Sequence, residues 1–295
     1  MVAMTGMDLL RERVRATGRD VAAVTEARGG VVATAGLLTL DEGGEVFAKT
    51  LHGPDSDVFQ VEAEGLRALR ERGGARTPDV LAVTANLLVL AAMRPRGEDG
   101  TFWEAVGRDL AALHARTVGD HFGRHRDGWL GRMRQDNTPG TDGYAFFAER
   151  RILRWLPEPL VQQALGPEDR RALERLCAAL PDLVPPAPPV LTHGDMWSGN
   201  LLADETGAPV FIDPAVSCTW AEVDLAMLWC GNRPPAAERA FGAYAEVQPL
   251  ADGWRERMPL LHLPEVLSII AHGDDDWGAA DEVRRVVAPF ARRHR

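Results

Sequence analysis

The carboxylates of Asp195 and Asp213 and the amide of Asn200 fall inside one short segment, V-L-T-H-G-D-M-W-S-G-N-L-L-A-D-E-T-G-A-P-V-F-I-D-P-A, from Val190 to Ala215. Val190 and Leu191 lead into a polar loop carrying His193, Asp195 and Asn200. Leu201 to Ala203 form an apolar run, Asp204 to Gly207 a turn, and Pro209 to Ile212 a second apolar run ending at Asp213. The pattern predicts strand–loop–strand–turn–strand, which brings Asp195, Asn200 and Asp213 to one end of a small hairpin. Taken singly, each is an ordinary turn former or strand cap. Together, at spacings of five and thirteen residues, they form a set suited to phosphoryl transfer. One carboxylate orients an attacking hydroxyl, while an amide oxygen and a second carboxylate hold a hard cation such as magnesium against phosphates.

These residues carry a family resemblance. H-G-D-M-W-S-G-N (193–200) followed by F-I-D-P-A (211–215) resembles the catalytic and metal loops of the fructosamine-3-kinase (ketosamine kinase) family, within the larger aminoglycoside phosphotransferase and protein-kinase-like group. H-G-D-x-x-x-x-N marks the wider group; Trp197-Ser198-Gly199 and Asp213-Pro214-Ala215 narrow it. The resemblance implies a two-lobed α+β fold, with an antiparallel five-stranded N-lobe and a mostly helical C-lobe. It implies Asp195 as catalytic base, Asn200 and Asp213 as metal ligands, ATP and Mg2+ as cofactors, and a ketosamine acceptor phosphorylated at the sugar O3. Trp197 and Trp129 are candidate acceptor contacts, with ordinary packing as the alternative for each.

The rest of the chain fits that frame. Met7 to Ala16 has helical spacing. Val21–Arg28, Val31–Leu40 and Glu45–Thr50 read as three antiparallel strands separated by Gly29-Gly30 and by Asp41-Glu42-Gly43-Gly44. Gly29 and Gly30 alone make a hairpin turn; in a kinase N-lobe they become a lid whose backbone N–H groups approach phosphate oxygens. Val31-Val32-Ala33-Thr34 replaces the serine and polar residues usual after the glycine pair. Lys49 is the only lysine in the sequence. It is either an edge residue reaching for solvent or, by its position, a contact to the α- and β-phosphates. In the helix Asp57–Arg72, the family register selects Glu62 as its partner and leaves Glu64 an exposed acid.

Asp79–Thr84 and Leu87–Leu90 complete the five strands. Ala91-Ala92-Met93 follows where the family has an acid and an aromatic, so Leu90, Ala91 and Met93 form a candidate hinge that reads the base mainly through its backbone. The lobes are placed at 1–92 and 93–295. Thr101–Arg116, Tyr144–Trp155, Glu168–Leu180, Ala221–Trp229, Pro234–Val247, Trp254–Ala271 and Asp281–Arg293 read as helices. His114 is expected to be a hydrogen-bonded core histidine, Asp224 a brace for the catalytic loop, and Asp274-Asp275-Asp276 a solvated loop with a helix cap.

Bulk properties narrow the alternatives. A chain of 295 residues has room for a substantial core. The net charge of -10 argues against a nucleic-acid binder. Three cysteines without C-x-x-C spacing suggest neither a disulfide framework nor a zinc site. No apolar run nears the ~20 residues that cross a bilayer, and the start lacks a secretory apolar core, so a cytoplasmic location is expected. Oligomeric state is not encoded legibly. Two competing functions stand: phosphotransfer to an aminoglycoside or another small hydroxyl compound, and a nucleotide-binding pseudokinase suggested by the altered glycine loop and hinge.

Overall fold

The computed structural model describes residues 5–27, 33–54 and 56–291. Its N-terminal lobe contains α1 (Gly6–Arg15), β1 (Val21–Glu26), β2 (Thr34–Leu40), β3 (Glu45–Thr50), α2 (Val58–Gly73), β4 (Val80–Val83) and β5 (Leu87–Ala91). The remainder contains α3 (Gly100–Arg116), β6 (Gly128–Leu130), β7 (Met133–Gln135), α4 (Gly143–Phe147), α5 (Pro159–Ala164), α6 (Pro167–Ala178) and α7 (Leu180–Leu183). It continues through β8 (Val190–Thr192), β9 (Leu201–Ala203), β10 (Pro209–Phe211), β11 (Ser217–Thr219), α8 (Ala221–Cys230), α9 (Glu238–Val247), α10 (Trp254–Leu261), α11 (Leu263–His272) and α12 (Ala279–Val287).

Both faces of the N-terminal sheet are covered, which explains the continuous apolar run L-L-V-L in β5. The strands pair antiparallel in the order β1-β2-β3-β5-β4. Side chains alternate across a strand, so Leu87 and Val89 pack with Leu10, Val14, Val46 and Ala48 on the α1 side. Leu88 and Leu90 pack with Phe59, Ala63 and Leu66 on the α2 side. The same alternation in E-V-F-A-K-T sends Val46 and Ala48 to α1, and Phe47 and Lys49 toward α2. Helix α2 presents Phe59, Ala63 and Leu66 at i, i+4 and i+7; Glu62, at i+3, lies on that apolar face. Lys49 and Glu62 are therefore brought together by two periodicities of different length.

The larger lobe has its own core, centred on Trp103, Trp155, Phe147, Phe211 and Tyr244. The catalytic segment departs from the expected single three-stranded unit. β9 and β10 form the hairpin, closed by Asp204 Oδ1 accepting from the N–H groups of Thr206 (2.8 Å) and Ala208 (3.0 Å). β8 instead pairs with β11, a strand not foreseen, which returns beside it after Asp213. An unforeseen hairpin pairs β6 with β7.

Two long helices expected from periodicity are broken. Tyr144–Trp155 is α4, a wide π turn at Ala148–Ile152 and a 3-10 turn at Leu153–Trp155. The wide turn carries the buried Arg151, whose guanidinium donates to Asn137 Oδ1 (2.6 Å) and Ser217 Oγ (2.8 Å). Trp254–Ala271 divides at His262, because Pro264 lacks the N–H needed to continue the ladder from α10. The last helix ends earlier than Arg293: α12 stops at Val287, ahead of a 3-10 turn containing Pro289. Asp275 caps α12, its Oδ1 accepting from Gly278 and Ala279 N–H at 2.8 Å. No helix among the described residues is long and apolar enough to cross a membrane.

Candidate functional site

The H-G-D turn is fixed from beneath by Asp224 in the first turn of α8. Its carboxylate accepts from His193 N–H at 2.7 Å and from Gly194 N–H at 2.9 Å. His114 Nε2 also reaches Asp224 Oδ2 at 3.1 Å, and its other ring nitrogen lies 2.9 Å from the Tyr244 hydroxyl. Gly194 has φ +80° and lies so close to Ala215 that a Cβ would stand 2.1 Å from the Ala215 carbonyl oxygen. Only glycine fits both conditions. The buried His193 ring lies 2.9 Å from the Ile212 carbonyl through Nε2, leaving Nδ1 to accept from Asp195 N–H at 3.3 Å. Burial also lowers the His193 pKa, favouring the neutral ring. With both ring nitrogens engaged, His193 supports the loop.

Asn200 and Asp195 are locked together. Asn200 Nδ2 donates to the Asp195 backbone oxygen and to Asp195 Oδ2, both at 2.8 Å. This leaves Asn200 Oδ1 without a protein donor among the described residues, open as a ligand. The Ile212 N–H bonds the Asn200 carbonyl at 3.1 Å, setting Asp213 immediately beyond Asn200. Asp213 has φ +54°, the only positive φ outside glycine among the described residues. That uncommon conformation turns its carboxylate back to Lys49.

Lys49 Nζ contacts Asp213 Oδ1 and lies 3.0 Å from Glu62 Oε1. Burial opposes the lysine's charge, but Asp213 and Glu62 outweigh it and raise its pKa. Burial pushes Glu62 up to about 7 against the opposing pull of Lys49, with Asp213 adding to the rise. Burial acts on Asp213 too, yet Lys49 wins there and holds its pKa below the usual carboxylate range. Asp195 is pushed up to about 7 by burial, against the Asn200 hydrogen bond and with help from the Asp213 and Asp224 charges.

The two lobes meet along the hinge. The Arg94 N–H bonds the Ala203 carbonyl at 2.8 Å, and the Ala203 N–H bonds Arg94 O at 2.9 Å, tying the hinge to β9. Arg96 Nη1 donates to Ser198 O at 2.6 Å. Leu90 is buried against α2, and Ala91 ends β5 with its N–H on Asp79 O. Ala92 and Met93 make no backbone–backbone hydrogen bond among the described residues, so their peptide groups are open to a ligand. Gly29 and Gly30 lie outside the described residues.

Asp195 opens onto a cavity of about 690 Å³ whose lining includes Trp197, Trp229, His262, Glu265 and Trp277. Trp197 is 43% exposed there. Its ring covers Gly199, where a Cβ would stand 2.1 Å from the indole. Trp129 is not brought to this cavity. Its Nε1 donates to Asp57 Oδ1 at 2.9 Å, and the Arg134 guanidinium lies 4.3 Å from its ring centre. Asp57 also takes Arg126 at 2.9 Å, joining the start of α2 to the β6–β7 hairpin. Glu64 pairs with Arg126 as well, so it contributes to that junction. Sequence reasoning did not single out Glu265, Trp229 or Trp277. The one available signal was Glu265 itself, an acid set in the apolar stretch L-L-H-L-P-E-V-L-S-I-I.

The fructosamine kinase family model matches residues 7–280. A "probable ketoamine kinase" of Thermus thermophilus is 34% identical over 230 residues, covering 78% of this chain and 80% of that protein. The chloroplastic protein-ribulosamine 3-kinase of Arabidopsis thaliana is 28% identical over 280 residues, covering 90% and 84%. A crystal structure described as a "putative fructosamine-3-kinase" of Thermobifida fusca superposes with a TM-score of 0.83 at 34% identity, over 95% of this chain and 96% of that one. The chain belongs to the fructosamine kinase family, a group of phosphotransferases that act on alcohol groups.

Proposed function

We propose that this protein transfers the γ-phosphate of ATP to the sugar O3 of a ketosamine, a ribulosamine or fructosamine carried on an amine or a protein lysine. The observation that carries this reading is the pairing of Asp195 with Asn200 beside the Asp213–Lys49–Glu62 cluster, with Asp195 lining the large cavity. The lobe boundary is placed between Ala92 and Met93, where the open peptide groups of the hinge suit an adenine edge.

In this reading Asp195 aligns the acceptor hydroxyl and takes its proton as the phosphoryl group departs. Lys49, held extended by Glu62, fixes the α- and β-phosphates. Leu90, Ala91 and Met93 border the base. The donor set fits magnesium, since Asn200 Oδ1, which has no protein donor among the described residues, and the Asp213 carboxylate are both hard oxygens. When bound, magnesium would neutralise phosphate charge at Asn200 and Asp213. The protein's remaining contribution is positioning and charge stabilisation, because phosphoryl transfer needs little covalent assistance.

The test is ATP turnover with ribulosamines, fructosamines and aminoglycosides side by side. Selective ketosamine phosphorylation, with product analysis placing the phosphate on O3, is the expected result. Preference for an aminoglycoside would overturn the acceptor assignment. Tight ATP binding without transfer to any acceptor would overturn the assignment as a kinase.

A further inference from the structure

Glu265 is the one acid on the Asp195 cavity left without a partner among the described residues. Asp195 is held by Asn200, and Glu282, at the rim, is engaged by Arg285. Glu265 Oε2 is buried with no hydrogen-bond partner among the described residues. A carboxylate oxygen placed this way is costly to maintain unless something supplies the missing donor. The fold does not supply it: His262, also on the cavity, is buried and makes no side-chain hydrogen bond among the described residues, and burial keeps its ring neutral. Glu265 also feels the Asp195 charge, which places the two carboxyl groups in one electrostatic neighbourhood. The exposed indoles of Trp197 and Trp277 line the same space.

A ketosamine matches this arrangement in a way a plain sugar does not. Its amine nitrogen sits on C1 and the reacting oxygen on C3, so an acceptor whose O3 reaches Asp195 must carry its cationic nitrogen into the adjoining space. We propose that Glu265 receives the protonated amine of the acceptor and selects ammonium-bearing ketoses over uncharged ones, with the Trp197 and Trp277 rings flanking the cation. This rests on the ketosamine kinase reading above. It assigns the selective contact to a residue of α11, outside the catalytic hairpin. Burial holds the free Glu265 carboxyl towards its neutral form; the ammonium supplies both the donors that Oε2 lacks and the positive charge that favours the ionised carboxylate, and aromatic faces favour a cation at short range.

The test compares a fructosamine with its 1-O-alkyl ether, which keeps the shape and loses the charge, in the wild type, Glu265→Gln and Glu265→Asp. The wild type should prefer the amine. Glu265→Gln should raise KM for the amine by about 10-fold or more, as for loss of one partner of a desolvated charge pair. The loss should be selective for the amine over the ether and leave the KM for ATP unchanged, and Glu265→Asp should restore part of the preference. Equal losses on both acceptors in Glu265→Gln would mark a structural role and overturn the proposal, as would an unchanged preference. A wild type that phosphorylates ketosamines without favouring the amine overturns the proposal alone. A wild type that phosphorylates neither acceptor overturns the parent reading, and the proposal falls with it.

Discussion

Lys49 and Asp213, 164 residues apart in the chain, meet in an ion pair that closes the cleft between the sheet and the catalytic hairpin. Lys49 arrives by strand alternation in β3, and Asp213 by its positive φ after β10. Lys49 alone would be a largely buried charge, and Glu62 is the second carboxylate on the ammonium. Lys49→Met is therefore expected to lower kcat/KM for ATP by about 10²–10³-fold, as for removal of one fixed charge from a phosphoryl clamp. Steady-state kinetics against ATP check this. Because Glu62 acts through Lys49, Glu62→Gln in the Lys49→Met background should add little. Additive losses would show that Glu62 has a separate task.

Asp195 is the candidate base, and its geometry does not depend on its charge: Asn200 Nδ2 holds both its backbone and its side chain. Asp195→Asn should keep the loop and lose the proton acceptor. The expected fall in kcat is about 10²–10⁴-fold, the range for loss of general-base assistance. ATP affinity, measured by calorimetry, should persist. Normal turnover would remove Asp195 from the role.

Much of this arrangement was legible in the sequence, and for identifiable reasons. The sheet and α2 follow from local periodicities, the choice of Glu62 over Glu64 as the partner of Lys49 came from the family register, and the H-G-D-x-x-x-x-N spacing fixes a loop whose atoms are close in sequence. The pairing of β8 with β11 was not legible, because three-residue strands carry almost no periodic signal and their register is set by tertiary contacts. The breaks in the predicted helices at Arg151 and His262 were missed for different reasons. The first depends on hydrogen bonds to Asn137 and Ser217, distant in the chain; the second was marked by Pro264, whose missing N–H outweighs an otherwise continuous apolar pattern. Glu265 was overlooked because its partnerless state is visible only when α11 is packed against the cavity.

Asp224 offers a measure of how much the catalytic turn depends on its support. Its two oxygens satisfy the N–H groups of His193 and Gly194, and His114 as well. Asp224→Ala would strand two buried donors at about 1–3 kcal/mol each. The variant should lose about 2–6 kcal/mol in urea unfolding, together with most of its activity. Asp224→Asn keeps one acceptor oxygen and should fall between the two. Full stability in Asp224→Ala would mean that water replaces the carboxylate.

His262 gives the pH prediction. It is 8% exposed on the wall of the cavity, and burial lowers its pKa to about 4, against the modest opposing charge of Glu282. Between pH 4 and its ordinary value near 6.5, the unfolded chain binds a proton at this residue that the folded protein refuses. Stability from this group is thus present above pH 6.5 and is lost as pH falls, by up to about 1.4 kcal/mol per pH unit. Glu62 and Asp195, raised to about 7, and Glu265, raised to about 8, act with the opposite sign, losing stability as pH rises through those values. Those acids are common to the wild type and His262→Gln, so the difference between the two proteins isolates the histidine. Urea unfolding at pH 6.5 and 4.5 should show the wild type losing about 2–3 kcal/mol relative to His262→Gln. A difference that stays flat with pH would mean that His262 takes up its proton equally well in the folded protein, so that the cavity wall around it is wet and not closed.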